Sequence, residues 1–499
     1  MKKLHSWMPA GLAILILISS VAIRAPAQSI PPGAVWSYTL VNGSQLIDDC
    51  PLCDRPTIMT PLRGTFQLRL LQPGPLFSTY ALENIALTGG DITGRLYKIT
   101  GEGTLRLGGE LAFQESLFLQ VSIDNGFTNQ LCYFTNALHF VTRFWPMIQE
   151  SVDQTNGTPA QQFHIDLNAA PFHQLWFSTT GDFFAGIWNS PTNSVSPGDL
   201  ISTTGCVVKK NSQLTSRLGI MPPAPNLGLK DMDILRGGEV AFSIEQSIFS
   251  ETLGTLHPGD LLSDRGRVLR TNAQLIAAFL PAKPVPSDVG LAAVQVMQNG
   301  EIWFSVQTNF FSSSLNRMIQ PGDLLSDNGT LVRSNAALLA QFHPVNPTDD
   351  FGLKTAYIWP SGEIWFSTAQ GFYDSNSRYY ASGDLLSDQG YLVYSNVELL
   401  SVFQPFNSTA GLGLDASFVI TDVTPPSPPP KLNLPQSTNQ PPASLSLHWS
   451  ASGRVFQLER AINAAGPYLP LNPITTDTVF IDSGARTNQS QAFYRLRQW

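Results

Sequence analysis

One pattern returns four times between Asp166 and Ala416, and that repetition limits the fold more than any other feature. It reads HQLWFS ending at Ser178, GEVAFS ending at Ser243, and GEIWFS ending at Ser305 and again at Ser367. A second block follows each copy, with Asp199 in PGDLIS, Asp260 and Asp323 in PGDLLSD, and Asp384 in SGDLLSD. Asn211, Asn272, Asn335 and Asn396 each stand twelve residues beyond one of those aspartates. A chain that resembles itself at a period of about 62 residues is built from small units that bury apolar faces on one another.

The third copy serves as the template. Gly290 to Val296 alternates as a strand does, Gln298-Asn299-Gly300 marks a tight turn, and Glu301 to Val306 predicts a second strand. Asp323 to Ser326 and Thr330 to Arg333 predict a third and a fourth, joined at Asp327-Asn328-Gly329. Asn335 at a cap position, with Leu338 and Phe342 beyond it, predicts a short amphipathic helix. Four short strands per unit predict a β-propeller-like domain over residues 161–423, with an open β-solenoid as the alternative. Gly413 to Ile420 repeats only the first strand of a unit, so it would complete or extend a ring, or cap a stack.

The remaining chain divides around that domain. Lys2 and Lys3, the apolar stretch Gly11 to Ile23 and the small-residue site Ala25-Pro26-Ala27 predict a cleaved secretory signal over residues 1–27. Residues 28–160 carry runs such as VWSYTLV, GTFQLRLL and SLFLQVSI between Gly-rich turns, which predicts an N-terminal β-sandwich or barrel. The Pro-rich run from Thr424 begins a stiff linker over residues 424–443. LSLHW ending at Trp449, VFQLERA over Val455 to Ala461, FIDSG from Phe480 and the closing AFYRLR follow it. On those motifs residues 444–499, about a tenth of the chain, resemble a fibronectin type III-like module. The resemblance implies a sandwich used as an extracellular spacer or adhesion module, and no reaction. The fold class expected is all-β throughout.

Charged residues make up only 13% of the chain, and removing the leader takes the formal charge from −8 to −11. Mild acidity without a basic stripe argues against nucleic acid as a partner. The four cysteines, read in an oxidising compartment, predict disulfides Cys50–Cys53 and Cys132–Cys206, the second tying the N-terminal domain to the first repeat. A redox or zinc role for Cys50-Pro51-Leu52-Cys53 lacks the flanking context either chemistry needs.

No catalytic constellation or metal motif is visible. The histidines are scattered, and neither H-E-x-x-H nor G-x-S-x-G occurs. Glu239, Glu301 and Glu363, with Asp199, Asp260, Asp323 and Asp384, recur at fixed places. Converging on an axis they would suit Ca2+, which takes six to eight oxygens. Turn chemistry accounts for them more simply, because a structural reason must act in every unit. The connections between second and third strands differ from unit to unit and carry aromatic residues, Phe184 among them. Phe183, Trp188, Phe249, Phe310, Phe311, Phe372, Tyr373, Tyr379 and Tyr380 are the candidate ligand-binding residues. The expected function is exported, non-catalytic binding or adhesion, with a polysaccharide or protein held at the cell surface by these loops. The alternative is a secreted propeller hydrolase or lyase acting on polysaccharide through clustered carboxylates.

Overall fold

The computed structural model describes residues 35–90, 95–109, 113–141, 145–188, 194–406, 409, 411–423, 428–433, 445–484 and 491–499. The predicted signal segment and most of the predicted linker lie outside the described residues. The chain is all-β, with antiparallel pairing in every described sheet.

Ten strands between Val35 and Pro171 form one sheet, and that sheet closes. Gln162–Pro171 pairs with Gln45–Asp49 on one side and with Ile148–Gln154 on the other, so the N-terminal unit is a barrel. Val35–Leu40 and Gln45–Asp49 continue each other between the same two neighbours, with the chain bent between them. Closure removes the free edges that an open sheet would present. Strand periodicity decides what fills the interior: buried and exposed residues alternate along Gln114–Asp124 and Ile148–Gln154. Tyr38, Phe66, Tyr97, Phe134 and Phe163 occupy the centre. The strand Gln162–Pro171, placed in the repeat domain by the 160/161 boundary, therefore belongs to the barrel.

The four repeats form four four-stranded sheets, each ordered first, second, third and fourth strand from inside outward. Met232–Leu235, Val294–Val296 and Leu353–Ile358 are the inner strands of units two, three and four. Unit one takes its inner strand from the far end of the chain. Leu414–Ile420 pairs with Gln174–Thr179 across the whole length of that second strand. The four inner strands pack against one another in cyclic order, and the last returns to the first. An open stack would leave that edge unpaired, whereas here the lone first-strand at the end of the chain closes the ring.

Each unit ends in a short helix: Asn211–Thr215, Asn272–Ile276, Asn335–Leu338 and Asn396–Ser401. The asparagine is the first helical residue, and the cap lies one position earlier than the sequence pattern suggests. Thr271, Ser334 and Ser395 are the caps, their side chains accepting from the amides of Gln274, Ala337 and Glu398.

The C-terminal module is two three-stranded sheets over a core of Leu447, Trp449, Phe456, Leu458 and Leu496. Its first strand, Lys431–Asn433, lies within the predicted linker and pairs with Leu445–Ser450. Cys50 and Cys53 are bonded to each other. The predicted Cys132–Cys206 bridge is absent, and both thiols are free. Cys132 is buried inside the barrel, where burial pushes its thiol up to about 11 and the Gln154 amide donates to its sulfur. Cys206 belongs to the turn between the outer strands of unit one.

Candidate functional site

The repeated acids hold the frame. In Asp260 one carboxylate oxygen accepts from the amide of Asn272 and the other from that of His257, both at 2.9 Å. Asp199, Asp323 and Asp384 make the same pair of bonds in their units. The asparagine side chain then reaches the next unit: Asn211, Asn272 and Asn335 accept from the amides of Leu227, Val289 and Phe351. Aspartate and asparagine thus clip turn, helix and following inner strand together. Glu301 and Glu363 accept from a strand-three serine and an indole N–H of their own unit, and Gln174 does so in unit one. Asp264, Asp327 and Asp388 each accept the amide that opens a second strand.

Between second and third strands each unit carries a two-stranded hairpin. Successive residues of a strand face opposite ways, so each aromatic pair splits. Phe183, Phe310, Phe372 and Tyr380 are buried, which removes them from the predicted ligand-facing set. They pack on the helical connector of the preceding unit: Phe183 lies 5.5 Å from Phe403, Phe310 lies 5.9 Å from Phe279, and Phe372 lies 5.8 Å from Phe342. Their outward partners are Phe184, Phe249, Phe311, Tyr373 and Tyr379, of which Phe249 is 65% and Tyr373 56% exposed. In the first hairpin the outward ring is Phe184, not Phe183. Trp188 lies in the 3-10 turn Gly186–Trp188.

The ring axis is polar and filled. Asp231 is fully buried and accepts from the amides of Met232 and Val294 and from the Thr355 hydroxyl, which in turn meets Ser417 at 2.7 Å. Burial pushes the Asp231 carboxyl well above the usual carboxylate range, against those hydrogen bonds. Asp233, one pleat further on, accepts from Val296 and pairs with Arg454 of the C-terminal module at 3.0 Å. Burial raises its carboxyl too, with Arg454 opposing.

Arg454 belongs to a seam between the ring and the C-terminal module. Its second nitrogen donates to the Val296 carbonyl, and the neighbouring Gly453 carbonyl accepts from Gly237 at 2.7 Å. Gly238 sits at φ +77, where a Cβ would lie 2.0 Å from the Thr476 carbonyl, so close approach of the two backbones requires glycine. Beside this seam lies a cavity of about 520 Å³. The ends of three inner strands wall it, and Arg454, Val455 and Trp499 close it from the C-terminal module. Trp303, Tyr357, Trp359 and Phe418 supply aromatic surface, while Gln298, Asn299 and Glu301 supply polar groups. The indole N–H groups of Trp359 and Trp499 have no acceptor among the described residues. A buried donor left unpaired costs about 1–3 kcal/mol.

None of these cavity residues belongs to the aromatic ligand-binding set picked from the sequence, and Glu301 alone was singled out there, as one of the repeated acids. A signal was present nonetheless. Five residues after the glycine that opens each inner strand stand Asp233, Gln295, Tyr357 and Phe418, four different side chains at one place in an otherwise regular unit. All four stand where the cavity and its seam with Arg454 form.

No family model and no curated protein matches the chain. Among solved structures it aligns with the extracellular domains of two proposed hybrid two-component systems of B. thetaiotaomicron. One is 9% identical, with 84% of this chain and 81% of that one covered at a TM-score of 0.20. The other is also 9% identical, with 87% and 83% covered at a TM-score of 0.16. Superposition this loose carries no argument about function.

Proposed function

We propose that this is an exported, non-catalytic binding protein that holds a polysaccharide or protein on the hairpins of a four-bladed propeller. The observation that carries this reading is the outward aromatic at the hairpin of every unit, Phe184, Phe249, Phe311 and Tyr373, with Tyr379 beside the last. Exposed rings repeated on a rigid frame favour a ligand with apolar faces, and the frame holds them without further ordering cost. The leader-like N terminus supports export, as does the Cys50–Cys53 bond, since disulfides persist in oxidising compartments. The C-terminal module, read as fibronectin type III-like, suits a spacer docked on the ring. Against the hydrolase or lyase alternative stands the engagement of the repeated acids, the aspartates by backbone amides and the glutamates by serine, indole and arginine side chains.

A glycan array read beside a pull-down of surface proteins tests the proposal. Phe249→Ala and Tyr373→Ala should each weaken binding about tenfold, the scale of a buried aromatic contact. Binding that is unchanged in the double variant would retire the hairpins as the ligand surface.

A further inference from the structure

We propose that the cavity between the ring and the C-terminal module binds a neutral sugar, one or two rings long. This site is separate from the hairpins and does not depend on them.

Its volume of about 520 Å³ lies inside the ~300–1,000 Å³ range of small-ligand sites. Within it, aromatic faces meet hydrogen-bonding edges. Trp303 and Tyr357 offer the flat apolar surface on which the C–H face of a sugar ring packs. Gln298, exposed at the turn between first and second strands of unit three, offers a donor and an acceptor for hydroxyls, while the neighbouring Asn299 side chain is held by Glu301.

Charge narrows the class further. Arg454 is the cation of the wall, and Asp233 already pairs with it at 3.0 Å. An anionic guest would have to compete with that buried carboxylate, and a cationic guest would meet the guanidinium. A ligand with many hydroxyls and no charge meets neither obstacle. Trp359 and Trp499 also line the cavity and add apolar ring surface to its wall.

The test uses the full chain without its leader, titrated with glucose, galactose, mannose, xylose and their common disaccharides. Tryptophan emission and calorimetry read the titration, since Trp303, Trp359 and Trp499 stand in the wall. At least one sugar should saturate with a dissociation constant below about 1 mM. Trp303→Ala should weaken it at least tenfold, Gln298→Ala about threefold, and the cavity-filling Met297→Trp should abolish it. Phe127→Ala, at an exposed turn of the barrel, should leave it unchanged. Gln298 is exposed and Met297 half-buried, so these two variants keep the proposal falsifiable if Trp303→Ala fails to fold. The proposal is overturned if no neutral sugar saturates, or if Gln298→Ala and Met297→Trp bind as the parent does. Loss of sugar binding in the hairpin variants alone would assign the sugar to the hairpins and overturn the cavity. Tighter binding of a fatty acid, an amine or a carboxylate than of any sugar would overturn the class.

Discussion

The outer frame of the ring and its axis are made from the same four units, yet they treat repetition in opposite ways. On the frame, the aspartate recurs in every unit and does the same thing each time, holding a turn and a helix start, and in the first three units the asparagine adds the segment that leads into the next inner strand. At the axis one position is Asp233, Gln295, Tyr357 and Phe418 in turn, and the four side chains do different work. Sameness across units marks what the architecture needs four times. Variation at a place where the backbone is constant marks where something other than the architecture sets the residue.

The largest effect should come from undoing the closure that gives both regions a common centre. Ser417→Pro removes an amide that Asp231 accepts and a hydroxyl that meets Thr355, in the strand that completes unit one. A loss of more than about 3 kcal/mol in denaturant unfolding is expected. A loss under about 1 kcal/mol would mean that the ring does not depend on its last strand.

Next comes a frame clip. Asp260→Ala leaves the amides of Asn272 and His257 without their acceptor, for an expected loss of about 2–4 kcal/mol. The equivalent changes at Asp199, Asp323 and Asp384 should cost similar amounts, since the bonds are equivalent. Four unequal losses, with one near zero, would break the contrast between uniform frame and varied axis.

Asp231 sharpens the contrast through pH. Its folded-state pKa is raised, so the fold binds its proton more tightly than the unfolded chain does. The stabilising contribution is therefore complete below the unfolded value of about 4 and is lost as pH rises towards the folded value. Asp231→Asn cannot ionise; its one oxygen can still accept from Val294, while its NH2 replaces the oxygen that accepts from Met232 and Thr355, so the variant should be less stable overall but flatter with pH. Stability measured from pH 4 upward should fall in the parent and stay flatter in the variant. Matching slopes would place the proton elsewhere.

The smallest effect is expected in the barrel, away from the ring. Burial lowers the affinity of His164 for a proton, but Asp153 at 2.7 Å and Asp166 at 2.9 Å outweigh it and raise its pKa. Its contribution is present below about pH 6.5 and lost as pH rises through the raised value. The pair is partly exposed, so the loss should stay under about 1 kcal/mol and vanish in His164→Gln. Thermal unfolding at pH 6 and pH 9 measures it.

Much of this was legible along the chain, and the legible part is local. The strands of a unit, its turns and its helix follow from alternation and turn residues within a dozen positions. The closing strand announced itself as Gly413 to Ile420, a first strand without a second. Outward and inward aromatics were not separable, because Phe310 and Phe311 differ only in which face of a two-stranded ribbon they occupy. The Cys132–Cys206 expectation failed because an even count says nothing of distance, and one thiol sits inside the barrel while the other sits on the ring.

The sequence by itself determined the all-β class, the four units and the residues that brace them, because short-range hydrogen bonds and strand periodicity act between neighbours. Only the tertiary structure decided that the last inner strand of the chain belongs to the first unit, and that Arg454 reaches Asp233 across 221 positions. The cavity exists because of that second contact. Its walls come from stretches that share no local pattern, brought together by closing the ring and docking the last module upon it.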